Sequence, residues 1–379
     1  MIDPPRSVSL RQSRRSYKAP AAQGFRMPAE WEPHRATWLV WPHNRDDWEV
    51  KSPAIDWCYV EIIKHLVGTE RVAILLEDET VERRALKRLR QAGVDLRAVD
   101  RYYVQTNRSW IRDSGPIFIT RAIGCGRRRE IAITDWGFNG WARYRKWQKD
   151  NTVPKRLAHC LGMRRFPVIS TSDPSRSVVL EGGSIDSNGE GLLLTTEECL
   201  LGRVQVRNPG MTRTEIEHVL RDHLAARRVL WLTGGIVGDD THGHVDDVAR
   251  FVSADTVVAA VEKDRRDINH APLADNLAKL RTMTDLNGRM LRVVPLPMPR
   301  PICFNGVRLP ASYLNFYIAN GTVLVPTFND PSDRIALARL AKLFPSRSVV
   351  GIHAGDLILG LGSIHCITKQ EPSDAGNIL

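Results

Sequence analysis

Residues 191–232 read GLLLTTEECLLGRVQVRNPGMTRTEIEHVLRDHLAARRVLWL, and the order of signals in this stretch decides the fold class. Gly191–Thr195 is a short apolar run of strand length. Thr212 and Glu215 form a Thr-x-x-Glu capping box, and helical periodicity follows as far as Arg227. Val229–Leu232 is apolar again. Strand, helix, strand is the repeating theme of an α/β protein.

The theme continues outward. Arg35–Trp41 (RATWLVW) reads as a buried strand ended by Pro42, with a polar loop at His43–Asp47. Trp57–Val67 and Val81–Gln91 have helical spacing, with an apolar strand run at Arg71–Leu76 between them. Ile131–Thr134, Val257–Val261, Leu291–Val294, Val323–Val325 and Ser348–His353 are further strands, and Arg334–Leu343 is a helix.

A chain of 379 residues with 42% hydrophobic and 26% charged content buries a large core, as one big domain or two ordinary ones. No apolar stretch approaches the roughly 18 residues of a membrane-spanning helix. The cysteines Cys58, Cys125, Cys160, Cys199, Cys303 and Cys366 are scattered without a CxxC pair. That argues against a zinc ribbon or a disulfide-stapled fold, and predicts free thiols in a reducing compartment.

The net charge of +11 raises the question of an anionic partner. Residues 1–26 hold six basic residues against one acid, a net +5, which leaves +6 spread over the rest. No basic stripe interleaved with aromatics is present, so neither a nucleic-acid partner nor a membrane is expected. Ser13-Arg14-Arg15-Ser16-Tyr17-Lys18 is similar to a twin-arginine export signal. The apolar segment that should follow is short and broken by Pro20. The expectation is a basic disordered leader over residues 1–25, a single domain over 26–372, a tail over 373–379 and a cytoplasmic location. Assembly into a homo-oligomer is left open.

Four polar clusters can carry chemistry. In Ser109-Trp110-Ile111-Arg112-Asp113-Ser114-Gly115-Pro116, an extended run would put Arg112 and Asp113 on opposite faces, freeing Asp113 to accept two N–H bonds from a guanidinium. The segment also fits an Arg-Asp surface pair in a turn. In Val179-Leu180-Glu181-Gly182-Gly183-Ser184, a Glu before two glycines sits where backbone can approach a ligand. Gly238–Asp247 contains His242-Gly243-His244-Val245-Asp246, with His242, His244 and Asp246 on one face if extended. It reads either as a metal site or as a general acid/base His244 beside a substrate-gripping Asp246.

In Gly360–Thr368, apolar residues flank Cys366, placing it in or at the end of a buried strand. His365 would point away from it, so His244 is the better base, brought close by the fold. Cys199 is the rival nucleophile, and its neighbours Glu197 and Glu198 are expected to raise its pKa. Asp113, Glu181 and His244 lie 68 and 63 residues apart, and Cys366 follows 122 later. The Trp38–Trp41 strand falls about one step upstream of Asp113. That rhythm suits about five similar units, each presenting a strand end to a shared centre.

At this point a family resemblance appears. The motifs that carry it are Met27-Pro28-Ala29-Glu30-Trp31-Glu32-Pro33-His34, Trp110–Pro116, Asp135-Trp136-Gly137-Phe138-Asn139, Leu180–Gly183, Thr195–Leu201, Gly243–Asp246, Asn315-Phe316-Tyr317-Ile318-Ala319-Asn320-Gly321 and Ile364–Thr368. Taken together, in order over about residues 26–372, the chain closely resembles the agmatine deiminase family, which includes bacterial peptidyl-arginine deiminases.

The resemblance implies a pentein fold, a pseudo-fivefold α/β propeller of five ββαβ-type units around a central active site. It implies Cys366 as nucleophile, His244 as general acid/base, and Asp113 and Asp246 as guanidinium ligands. Glu181 would hold His244 or the substrate. Trp110 and Asp240 match positions lining the substrate channel, where Asp240 would attract a distal ammonium. It implies a small guanidinium substrate and requires no metal or cofactor. A departure is the basic run Gly140-Trp141-Ala142-Arg143-Tyr144-Arg145-Lys146-Trp147, where many members are glycine-rich. If Arg143 or Arg145 faces the channel, free or peptidyl arginine becomes the expected substrate in place of agmatine. A metal-dependent hydrolase at His242/His244/Asp246 is the alternative from another class.

Overall fold

The computed structural model describes residues 18–48, 51–124, 128–170 and 173–375. Most of the expected leader, part of the expected tail and Cys125 lie outside them. The described parts of both ends pack on the domain. Ala21–Gln23 forms a short 3-10 turn, Phe25 meets Phe166 edge-on, and Ser373 donates its N–H to Pro33.

One pattern recurs in five sheets: two antiparallel strands, then a helix, then a third strand parallel to the second. Ile117–Ile123 pairs antiparallel with Arg128–Asp135, and Arg164–Pro167 returns parallel to it after the helix Val153–Cys160. Asp186–Ser187, Leu192–Thr196 and Arg228–Leu232 repeat this around the helix Arg213–Leu224. Ala249–Phe251, Thr256–Val261 and Arg292–Pro297 do so around His270–Leu280. Tyr317–Ile318, Thr322–Thr327 and Ser348–His353 do so around Pro331–Leu343.

The remaining sheet joins the two ends of the domain. Lys369–Pro372 pairs antiparallel with His34–Val40, which pairs parallel with Arg71–Leu76 after the helix Ser52–Leu66, and Val99–Tyr103 adds a fourth strand. The strand containing Trp38 therefore belongs to the same sheet as the strand after Cys366, and not to a separate step upstream of Asp113.

Local chemistry accounts for the element ends. The Thr212 hydroxyl accepts from Glu215 N while the Glu215 carboxylate accepts from Thr212 N, as the sequence predicts. The helix expected from Arg334 starts at Pro331 instead. Asp330 caps it by accepting from Ser332 N, Asp333 completes the box, and Pro331 costs nothing at a first-turn position that has no partner for an N–H. Parallel strands covered on both faces are apolar throughout, so Leu39, Val72, Leu194, Val258 and Val325 are all buried. Among the described residues no helix is long and apolar enough to cross a membrane.

Candidate active site

Each of the five repeats is entered through a tight turn that ends two or three residues before its first strand, and the polar clusters lie in or directly after these turns. Ile111–Ser114 is one helical turn ahead of Ile117–Ile123. Gly182–Ser184 is a 3-10 turn ahead of Asp186–Ser187. Val245–Asp247 is another ahead of Ala249–Phe251. Asn315 stands two residues ahead of Tyr317–Ile318, and Cys366 sits in a turn three residues ahead of Lys369–Pro372. The clusters were expected to be extended strand ends; they are turns, so the period-2 reading of facing side chains does not hold. Asn315 supplies the step between His244 and Cys366 that the spacing left open.

Gly183 shows how tightly the turns converge. A Cβ built on it would lie 2.6 Å from His244 Nδ1, 2.8 Å from Asp113 Oδ1 and 3.0 Å from Asp246 Oδ2. The glycine, expected to leave room for a ligand, leaves room for three buried ionisable side chains. Gly183 N donates to Asp113 Oδ1 at 2.9 Å and Trp141 Nε1 donates to Asp113 Oδ2 at 2.9 Å. His244 Nδ1 is 3.8 Å from Asp113 Oδ1, and its Nε2 is 3.8 Å from Glu181 Oε2. Arg207 Nε donates to Glu181 Oε1 at 3.0 Å from a fully buried position.

Cys366 lies in the same assembly. Asn315 Nδ2 donates to its sulfur at 3.2 Å and to Asp247 Oδ1 at 3.1 Å, while Asn315 Oδ1 accepts from His365 N at 3.0 Å. Arg112 N donates to the Cys366 carbonyl. A narrow cavity of about 20 Å³ is lined by Cys366, Asp113, Trp110, Trp141, Tyr144 and Asp240, among others. A larger surface hollow of about 620 Å³ beside Glu262, Arg266 and Ile335 holds none of these groups.

The charges interlock. Burial would favour neutral His244, but Asp113, Cys199 and Glu181 around it push its pKa well above the usual imidazole value. Burial likewise opposes ionisation of Glu181, yet Arg207 and His244 hold its carboxyl at about 2. Asp113 is raised by burial and by Asp246 and Glu181, against the pull of His244. Asp246 is lowered: burial opposes this, and His365, His244 and Arg250 outweigh it. The Cys366 thiol is pushed far up by burial first, then by Asp246, Asp247 and Asp113.

Several buried residues in this assembly had no assigned role in the sequence. His365 is held by two carboxylates: Nδ1 meets Asp246 Oδ2 at 2.6 Å and Nε2 meets Glu30 Oε2 at 2.7 Å. Glu30 is held in turn by Arg250 at 2.9 Å and Arg112 at 3.3 Å. Arg112 is not a surface partner of Asp113; it is buried, with Nη1 on Gln370 Oε1 and Nε on the His365 carbonyl. Glu30 and Asn315 both lie in motifs that carried the family resemblance, which was the one signal for them.

Three further expectations change. His242 adopts φ 62° and turns away, with Nδ1 3.6 Å from Glu198, so His242, His244 and Asp246 do not form a ligand set. Cys199 is raised in pKa as expected, but the first cause is burial; Arg207 and His244 pull it down. Its neighbours act elsewhere, Glu197 pairing with Arg213 and Glu198 accepting from Gly235 N. Arg143 and Arg145 are exposed, and the basic residue lining the cavity is Arg108. The Arg108 guanidinium stacks 4.1 Å from the Tyr144 ring, and the Tyr144 hydroxyl donates to Asp240 Oδ2 at 2.5 Å. Burial raises Asp240 to about 6.

Comparison with known proteins agrees along the whole domain. The family profile of the Porphyromonas-type peptidyl-arginine deiminase matches residues 26–372. An agmatine deiminase of Ectopseudomonas mendocina is 37% identical, covering 94% of this chain and 98% of its own length. One from Pseudomonas aeruginosa is 36% identical over 93% of this chain and 97% of its own. The solved structure of Enterococcus faecalis agmatine deiminase superposes with a TM-score of 0.85 at 30% identity, covering 95% of this chain and 99% of that one. A putative arginine deiminase from Porphyromonas gingivalis superposes with a TM-score of 0.79 at 34% identity, covering 93% and 99%. By these matches the chain belongs to the Porphyromonas-type peptidyl-arginine deiminase family.

Proposed function

We propose that this protein is a hydrolase of linear amidines, an agmatine deiminase that converts agmatine and water to N-carbamoylputrescine and ammonia. The observation that carries this reading is the buried Cys366 thiol lining one narrow cavity together with the carboxyls of Asp113 and Asp240. A planar cation fits between carboxylates because two parallel N–H bonds match each carboxylate geometrically. The small volume of the cavity supports a small cationic substrate over a peptide, and Arg143, exposed and 5.7 Å from the Tyr144 ring, is the nearest basic side chain of the departing run. The five repeats are read as a pseudo-fivefold ring about this centre.

Asp113 and Asp246 hold the guanidinium flat and charged, which keeps its carbon electrophilic. Trp110 covers the alkyl chain and Asp240 attracts the distal ammonium. The docked cation cancels the acidic field around Cys366, so the thiol gives up its proton to solvent as substrate binds. The thiolate attacks the guanidinium carbon. His244, held as an imidazolium by Asp113 and Glu181, protonates one departing nitrogen, and the C–N bond breaks to leave ammonia and an S-alkylthiouronium. Neutral His244 then takes a proton from water as the hydroxide adds to the same carbon, and the C–S bond breaks as the added hydroxyl passes its proton to the leaving sulfur, releasing the ureido product and restoring the thiol. The proton lost to solvent on binding pairs with the released ammonia, and Cys366 and His244 return to their starting protonation states.

Ammonia and ureido product are measured with agmatine, free arginine and a peptidyl arginine as substrates. Agmatine is expected to be preferred, with turnover abolished in Cys366→Ala and unaffected by chelators. Preference for peptidyl arginine, or activity that survives Cys366→Ala, would overturn the reading.

A further inference from the structure

Behind the proposed base lies a donor set that the deimination steps do not use as a unit. A carboxylate oxygen of Glu181, the Cys199 sulfur and a ring nitrogen of His244 lie within 4.8 Å of one another, all three residues buried. Glu181 Oε2 and His244 Nε2, 3.8 Å apart, have no hydrogen-bond partner among the described residues. The geometry points to an inhibitory site for a zinc-like divalent cation, ligated by Cys199 Sγ, His244 Nε2 and Glu181 Oε2. That the bound metal inhibits rests on the reading of His244 as the base; that it binds does not.

Four features fit the metal. One thiolate, one imidazole and one carboxylate are the donor types that zinc takes, with a fourth position open. Bonds of about 2.0–2.3 Å place tetrahedral ligand atoms roughly 3.3–3.7 Å apart, so the observed spacing closes with small side-chain shifts. The ligands are already oriented, since Arg207 fixes the other oxygen of Glu181 and Asp113 faces the other nitrogen of His244. Charge also balances. The metal and Arg207 carry three positive charges, offset by the Cys199 thiolate, Glu181 and Asp113. On binding, the Cys199 thiol and His244 Nε2 release their protons to solvent. The set differs from the histidine pair that the sequence suggested, because His242 faces Glu198 and Asp246 is held by His365.

Zinc would tie up the nitrogen that moves protons, and because all three ligands are buried the inhibition should develop with time. The test uses the full chain with Zn²⁺ or Co²⁺ in metal-stripped buffer. Wild type is expected to lose activity progressively with Zn²⁺ and recover it with a chelator. It should bind one Co²⁺ per chain with a thiolate-to-cobalt absorption band. Cys199→Ala, or Cys199→Ser where alanine disturbs folding, should lose the band and need at least about tenfold more Zn²⁺ for half inhibition. Cys366→Ala should keep the band. A band that survives loss of Cys199, or disappears with Cys366, overturns the site. Absence of agmatine turnover with the Cys199-dependent band intact would instead count against the proposed reaction alone.

Discussion

Asp113 accepts from a backbone amide and an indole while facing His244, and that crowding leaves no room for a side chain at Gly183. Gly183→Ala puts a methyl carbon inside the contact distance of His244 and Asp113, so one of them must move. Misplacement by about 1 Å typically costs on the order of 10²-fold in rate. A kcat loss of that size with a folded circular-dichroism spectrum is expected; a near-normal kcat would show that the turns do not hold the geometry. Asp113 also contributes to the raised pKa of Cys366. Asp113→Asn should therefore abolish turnover yet speed alkylation of Cys366 by iodoacetamide at neutral pH, read by peptide mass mapping. Slower alkylation would mean that Asp113 does not suppress the thiolate. At this scale the sequence exposed the residues with reactive chemistry. It hid Asn315, His365, Glu30 and Arg207, whose work is to bond to those residues, because nothing in their local spacing reveals a partner up to hundreds of positions away.

The elements were legible where apolar runs and caps are local. Arg71–Leu76 and Ser348–His353 appear with the boundaries the sequence predicts, and the Thr212 capping box forms. Strand Ile117–Ile123 and helix His270–Leu280 gave weaker signals; the strand runs out through Arg121 and exposed residues, and the helix carries Pro272 in its first turn and the poor helix former Asn276 midway. The functional turns were misread as strand ends because Gly, Ser, Asp and His suit a tight turn as well as the end of an extended run. Caps can be tested apart from chemistry. Thr212→Ala removes the acceptor for Glu215 N on a helix remote from the cavity, and should cost about 1 kcal/mol of stability. A lower denaturation midpoint with unchanged kcat is expected. A large kcat loss would mean that this helix does more than support its sheet.

Across the whole molecule, buried charge near the cavity links stability to pH. Asp47 and Asp150 flank Arg108, which pairs with Asp47 at 2.6 Å and sends its backbone N–H to Asp150. Burial is the leading cause in both cases, raising Asp47 to about 6 and Asp150 to about 7. A carboxyl whose folded pKa lies above its unfolded value keeps its proton in the fold where the open chain has lost it. Its stabilising contribution is complete below the unfolded pKa, near 4, and is lost as pH rises through the folded pKa. Glu30 and Glu181 are depressed instead, so their contribution fails only in acid below about 4.5. His244, raised, loses its contribution only above about 6.5. Asp240, raised by burial to about 6, adds to the same fall between pH 5 and 6.5, while His43 and His223, lowered by burial, oppose it, so the Asp150 variant is what separates one contribution from the rest. Stability from urea denaturation should fall there as pH rises, by up to about 1.4 kcal/mol per unit for each ionising group. Asp150→Asn keeps an oxygen to accept from Asn107 N, now at 2.6 Å from Asp150 Oδ1, and cannot ionise. The variant should have a flatter profile over this interval and be more stable than wild type above pH 7, by roughly 4 kcal/mol at most. If wild type shows no fall between pH 5 and 6.5, or if Asp150→Asn leaves the slope intact, burial of Asp150 does not govern this linkage.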